Sequence, residues 1–152
     1  GPLDAATGAD RRDGYLAALR EAGLPEAPEL VVEGTFHQES GQEAMRALLA
    51  LPERPTAVFA ASDSMAAGAL AAIREAGLRV PEDIAVVGFD DSPIASLTAP
   101  TLTTVRQPIY RLGAEAARLL IDQLQDGPPE PLRERLPVEM VVRDSCGARA
   151  RV

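Results

Sequence analysis

Apolar and polar positions along this chain alternate between a helical period and short unbroken runs, and the alternation predicts its elements. Tyr15, Leu16 and Leu19 form a helical pattern. Thr7-x-x-Asp10 reads as its capping start and Gly23-Leu24-Pro25 as its stop. Glu29–Glu33 (ELVVE) reads as a short strand. Ser40–Leu51 reads as a helix through Ala44, Met45, Leu48 and Leu49, halted by Pro52. The runs Ala57–Ala61 and Ile84–Phe89 read as strands; between them Ser64–Ala76 carries Met65, Ala69, Leu70 and Ile73 at helical spacing and stops at Gly77. Ser92–Leu97 is a single helical turn, and Thr103–Arg106 is extended ahead of Pro108. Pro108 suits the first position of a helix over Ile109–Leu124, whose apolar stripe is Ile109, Leu112, Ala116, Leu119, Leu120 and Leu124. A proline-rich loop at Gly127–Pro131, a strand over Pro137–Arg143 and a tail from Gly147 to Val152 complete the chain. Strands alternating with helices predict an α/β fold with a mainly parallel sheet.

Composition narrows the function classes. At 152 residues, 46% apolar and 25% charged, one soluble-type domain is expected. The net charge of −8, with all basic residues Arg and none in a run, argues against a grip on a phosphate backbone. The single Cys146 excludes an internal disulfide and a cysteine zinc site. No apolar stretch approaches the ~20 residues of a membrane span, and no signal peptide opens the sequence.

The chemistry-bearing residues gather behind two strands. Ser62-Asp63 follows the first run and Asp90-Asp91 the second. The carboxyl edge of an open parallel sheet is where ligands bind. An ionised Asp accepts two hydroxyls at once, so Asp90 suits a polyol. Asp91 reads as the cap of the turn from Ser92, and Asp63 as the N-cap of the following helix. Gly88 reads as a point of close approach. Arg11 offers a fork of donors, although a lone helix arginine is equally a solvated residue. Phe36 is read as pocket wall or core, and Gln107 as site residue or helix cap. The lone His37 has no nucleophile or metal partner at a useful spacing. Asp63, Asp90 and Asp91 without a base–nucleophile pair make a metal-assisted hydrolase the weakest reading. No cofactor motif is present.

The string PTAVFAASDSMAAGALAAIREAGLRVPEDIAVVGFDDSP, with LTAPTLTTVRQP and LPVEMVVRDSC after it, resembles the effector-binding core of the lactose-repressor (LacI/GalR) family of bacterial transcription regulators. The resemblance runs over residues 1 to 146. It implies a doubly wound, periplasmic-binding-protein-like type I fold, present in part. Residues 1–105 correspond to the carboxyl-terminal effector-binding subdomain, 106–127 to a crossover and a helix of the amino-terminal subdomain, and 128–152 to a loop, returning strand and tail. A strand before Gly1-Pro2, the rest of the amino-terminal subdomain and a DNA-binding helix-turn-helix are expected upstream, and the Ile109–Leu124 stripe is expected to need a partner surface, whether from such a segment or from a second copy.

The same resemblance assigns the ligand site. Arg11, in the pattern R-x-x-G-aromatic, and Asp90 carry it, with Phe36, Ser62 and Gln107. Many relatives have Asn where this chain has Ser62. The implied partners are a small hydroxyl-rich effector, near-palindromic operator DNA reached only through the absent domain, and a second copy meeting at the Ser64–Ala76 helix, whose alanines equally suit packing on the sheet, and the Ser96–Thr103 segment. The implied setting is the cytoplasm. A periplasmic sugar-binding protein of an uptake system shares the fold and is the competing reading.

Overall fold

A computed structural model describes residues 1–127 and 135–148. Four strands form one sheet in the order β1 (Ala57–Phe59), β2 (Ala85–Asp90), β3 (Thr103–Arg106), β4 (Glu139–Val141). The first three run parallel, and β4 returns antiparallel to β3 with Val105 opposite Met140. The helices are α1 (Ala6–Glu21), α2 (Gln38–Leu49), α3 (Asp63–Glu75), the short α4 (Ile94–Leu97) and α5 (Ile109–Asp126). This is the mostly parallel α/β architecture that the alternation of periods predicts. Among the described residues no helix is long and apolar enough to cross a membrane. Parts of the expected proline-rich loop (128–131) and tail (149–152) lie outside the described residues.

The core sits between β2 and the α2–α3 pair. Val86 and Gly88 turn to the buried face of β2, and Ile84, Leu102, Ala66, Ala69 and Ile73 close around them. The two helices touch through glycines. A Cβ on Gly41 would lie 2.2 Å from the Met65 carbonyl oxygen, and one on Gly68 2.0 Å from that of Gln38. Neither contact is relieved by a rotamer change, because both neighbours are backbone. Most small residues of α3 thus pack inside the chain. Met65, Ala66, Gly68, Ala69, Ala72 and Ile73 are buried, the core-packing use of this alanine-rich helix, while Ser64, Ala67 and Ala71 are only partly buried.

Several local expectations change. Thr7 is not a cap: α1 starts at Ala6 behind Ala5, with no side-chain cap at all. The cap of α3 is Ser62, whose hydroxyl accepts from the Met65 N–H at 3.1 Å, and Asp63 becomes the first helical residue. A hydroxyl one residue earlier reaches the orphan donors of the first turn, leaving Asp63 free to point inward. Pro137–Arg143 shortens to a three-residue strand. Glu29–Glu33 is no strand: Pro28–Leu30 forms a 3₁₀ turn, and Val31 follows in extended geometry. A strand exists by its ladder, and Val31–Val32 has none among the described residues. A cavity of about 140 Å³ separates this segment from β1, lined by Val31, Val32, Ala57, Val58 and Phe59.

Helix α5 stands apart. It makes no substantial packing contact with any other described element. Ile109, Leu120, Ile121 and Leu124 are exposed along it. Covering such a stripe is worth about 1.5–3 kcal/mol for each large side chain.

Candidate functional site

The carboxyl ends of β1, β2 and β3 converge on the front of α1. Asp90, the last residue of β2, receives a hydrogen bond from the Gln107 side-chain amide at 2.7 Å and an ion pair from Arg11 at 3.4 Å, both on Oδ1. Arg11 reaches across from the second turn of α1. Its guanidinium lies 4.0 Å from the centre of the Phe89 ring and 5.4 Å from that of Phe36, and its other arm donates to the Ala61 carbonyl. Stacking on rings and a forked donor set are the two things guanidinium does and ammonium does not. Among the described residues, Asp90 Oδ2 and Gln107 Oε1 carry no hydrogen bond, and the Asp90 side chain is 33% exposed, so both oxygens remain available as acceptors.

Arg11, Asp90, Gln107 and Phe36 are therefore brought into one cluster. Ser62 adjoins it through a different role: its buried hydroxyl donates to the Phe36 carbonyl oxygen at 3.0 Å while capping α3. The bond fixes the turn at Phe36, which has a positive φ of 65°. Gln107 is not the side-chain cap of α5; its amide turns to Asp90, and only its backbone carbonyl meets the Ile109 N–H. His37 ends the Phe36 turn at the N-cap position of α2, without a side-chain cap bond.

Electrostatics follow from burial. Desolvation pushes the Asp90 carboxyl above its ordinary value, against the pull of the Arg11 charge and the Gln107 hydrogen bond. Burial likewise lowers Arg11, with Asp90 acting in the opposite sense. One cation and one anion face each other, so the pair is close to neutral as a unit. Among the described residues no group of three or more His, Cys, Asp or Glu is arranged to hold a metal.

The two remaining carboxylates are internal ties. Asp63 is 1% exposed; its Oδ2 accepts from the Ser92 N–H at 2.7 Å and its Oδ1 from the Thr104 hydroxyl. That bond, and not one from Asp91, caps the turn after β2. Asp91 instead joins two arginines, Arg106 at 2.6 Å and Arg143 at 2.7 Å. Phe89, Arg106 and Arg143 were not legible as site or near-site residues. Phe89 reads as one more apolar strand position, and nothing in the order of residues brings position 143 beside position 91. Gly88 is the close approach expected of it: a Cβ there would fall 2.4 Å from Asp63 Oδ1.

Comparison with known proteins agrees with this architecture. A family model described as "Periplasmic binding protein-like domain" matches residues 2–146. The HTH-type transcriptional regulator CelR of Thermobifida fusca is 46% identical over 145 residues, 95% of this chain and 43% of that regulator. The HTH-type transcriptional repressor CytR of Escherichia coli (strain K12) is 42% identical over 138 residues, 91% of this chain and 40% of the repressor. Among solved structures, a transcriptional regulator CelR–cellobiose complex superposes with a TM-score of 0.91 at 46% identity, covering 95% of this chain and 44% of the other. The chain thus spans less than half the length of these two regulators. It belongs to the periplasmic binding protein-like domain family, in the branch formed by the effector-binding domains of LacI-type transcriptional regulators.

Proposed function

We propose that this chain is the effector-sensing part of a cytoplasmic LacI-type regulator and that its effector is an uncharged, hydroxyl-rich molecule of the sugar class. The observation that carries the reading is the Asp90 carboxylate, held on one oxygen by Arg11 and Gln107 with the other oxygen open. An open carboxylate oxygen beside an amide oxygen accepts from hydroxyls. The Arg11–Asp90 pair cancels its own charge, so an anionic effector finds no net cation there, and the Phe36 ring, with Arg11 farther off at 5.4 Å, supplies apolar surface for the carbon skeleton of a sugar. The complex of a 46%-identical regulator with cellobiose supports the same class.

In this reading Gln107 is the link to regulation, because it touches the site and leads directly into α5. Residues 106–127 then belong to a second subdomain, and the uncovered α5 stripe packs on the rest of it. An effector that bridges the two subdomains favours a closed form by its differential affinity and so shifts operator binding, carried out by a domain outside this chain. Operators read by two-fold dimers require a second copy, and the exposed Leu97 on α4 is the anchor proposed for that contact. Isothermal titration of the complete regulator against cellobiose, other neutral sugars, sugar phosphates and nucleosides tests the proposal. A neutral sugar should bind, and Asp90→Ala should weaken it by about 1.5–3 kcal/mol, the value of hydrogen bonds to a charged group. Tightest binding of a phosphorylated compound, or an unchanged affinity in the variant, would refute it.

A further inference from the structure

We infer that Asp91, clamped between Arg106 and Arg143, is a positioning residue that sets the aim of the neighbouring Asp90 carboxylate and thereby the effector affinity. The inference rests on the reading of Asp90 as an effector ligand. Its basis is backbone geometry at the end of β2. Asp90 has φ 116° and Asp91 φ 54°, positive values that residues with side chains rarely adopt and that persist only where the surroundings hold them. In a regular strand Phe89 and Asp90 point to opposite faces. Arg11 nonetheless touches both, stacking on the Phe89 ring and pairing with the Asp90 carboxylate. The positive φ at Asp90 is what turns that carboxylate toward Arg11 and Gln107.

The backbone here is tied by the Asp91 N–H to the Thr104 hydroxyl at 3.4 Å and by the Ser92 N–H to Asp63 at 2.7 Å, and the Asp91 side chain adds the third hold. The Asp91 side chain is 9% exposed, and each of its oxygens takes a guanidinium: Oδ2 from Arg106 Nε at 2.6 Å and Oδ1 from Arg143 Nη2 at 2.7 Å. Arg143 is itself fixed, donating from Nη1 to the Leu102 carbonyl at 2.8 Å and from its backbone N–H to the Thr103 hydroxyl at 2.8 Å. Three segments meet at one carboxylate: the end of β2, the end of β3 and the stretch that follows β4. Arg106 directly precedes Gln107, so the clamp fixes both partners of the 2.7 Å Asp90–Gln107 bond. Burial opposes ionisation of Asp91, yet the two arginines together hold its carboxyl below the ordinary value, so the clamp stays charged across the neutral range.

The test combines structure and binding in the complete regulator. In a crystal structure of Asp91→Ala without effector, the Asp90 φ should leave the positive region and its carboxylate should part from Gln107 Nε2. With cellobiose as probe, D91A should bind at least about 10-fold more weakly than wild type. D90A/D91A should bind no more weakly than D90A, because Asp91 acts only through Asp90. Arg143→Lys should recover part of the affinity that Arg143→Gln loses. Ile73→Val, which thins the buried core near the far end of α3 away from the clamp, should cost stability and leave affinity unchanged. If D91A does not fold, Arg106→Gln, with its half-exposed side chain, takes its place in both arms. An Asp90 that keeps its conformation in the variant crystal, or additive losses in the double variant, would overturn the inference. Wild-type protein that ignores cellobiose sinks the sugar reading instead, and the crystallographic arm still decides the role of Asp91.

Discussion

Replacing Gly88 with Ala probes the joint between core and site. The added Cβ would lie 2.4 Å from Asp63 Oδ1 and 2.8 Å from Leu102 Cδ2, where carbon rarely comes within 3.0 Å. The Asp63 oxygen must therefore retreat by at least 0.6 Å, the difference between 3.0 and 2.4 Å. It has nowhere to go, since Asp63 is 1% exposed and both its oxygens are engaged by Thr104 and Ser92. Losing a hydrogen bond to a charged group costs about 1.5–3 kcal/mol. Overpacking against Leu102 adds about 1–3 kcal/mol, while Ala in place of Gly in a strand returns about 0.5–1 kcal/mol. The net is a destabilisation of about 2–5 kcal/mol. Equilibrium urea unfolding of the complete polypeptide, followed by far-UV circular dichroism, reads this as a lower midpoint at unchanged slope. Gly14→Ala is the control, because a Cβ on Gly14 meets nothing within 4 Å and a mid-helix Ala should be neutral or stabilising by up to about 1 kcal/mol. A Gly88→Ala midpoint equal to wild type would refute the crowding at Asp63.

Three further outcomes follow from the structure. Because burial raises the Asp90 carboxyl, effector affinity should be flat near neutral pH and fall on acidification at a higher pH than an ordinary Asp would dictate; calorimetric titration across the acid range checks this, and Asp90→Asn should be weak and pH-independent. The stability signs of the two neighbours are opposite: the contribution from raising Asp90 is present at low pH and lost as pH rises through its folded value, whereas that of the depressed Asp91 is present at neutral pH and lost as pH falls through its folded value, so Asp91→Asn should flatten the acid limb of a stability curve. Gly68→Ala should destabilise by about 1–3 kcal/mol or more through α2–α3 separation, since the clash at 2.0 Å is with the Gln38 backbone; a thermal midpoint at or above wild type would show that the helices can slide apart freely.

The order of residues by itself determined the architecture and much of the cluster. Helical spacing in Ser64–Ala76 and the short apolar runs on either side require strand, helix and strand, because only those periods bury their apolar positions. The same order delivers Ser62, Asp63, Asp90 and Asp91 to one edge of the sheet. Which of these four does what was decided only by packing. Ser62 caps α3 because its hydroxyl reaches the Met65 N–H, and that freed Asp63 to enter the core, where the missing Cβ of Gly88 leaves it room. Asp91 turned from turn cap to arginine clamp because residues 106 and 143, distant in sequence, arrive beside it on β3 and after β4. The ELVVE segment carries strand propensity without a ladder, since propensity cannot supply a hydrogen-bonding neighbour. Local periodicity is a property of the chain's own neighbours and can be read along it; the partners of a carboxylate are set by which surfaces the fold presses together, and that depends on every element at once.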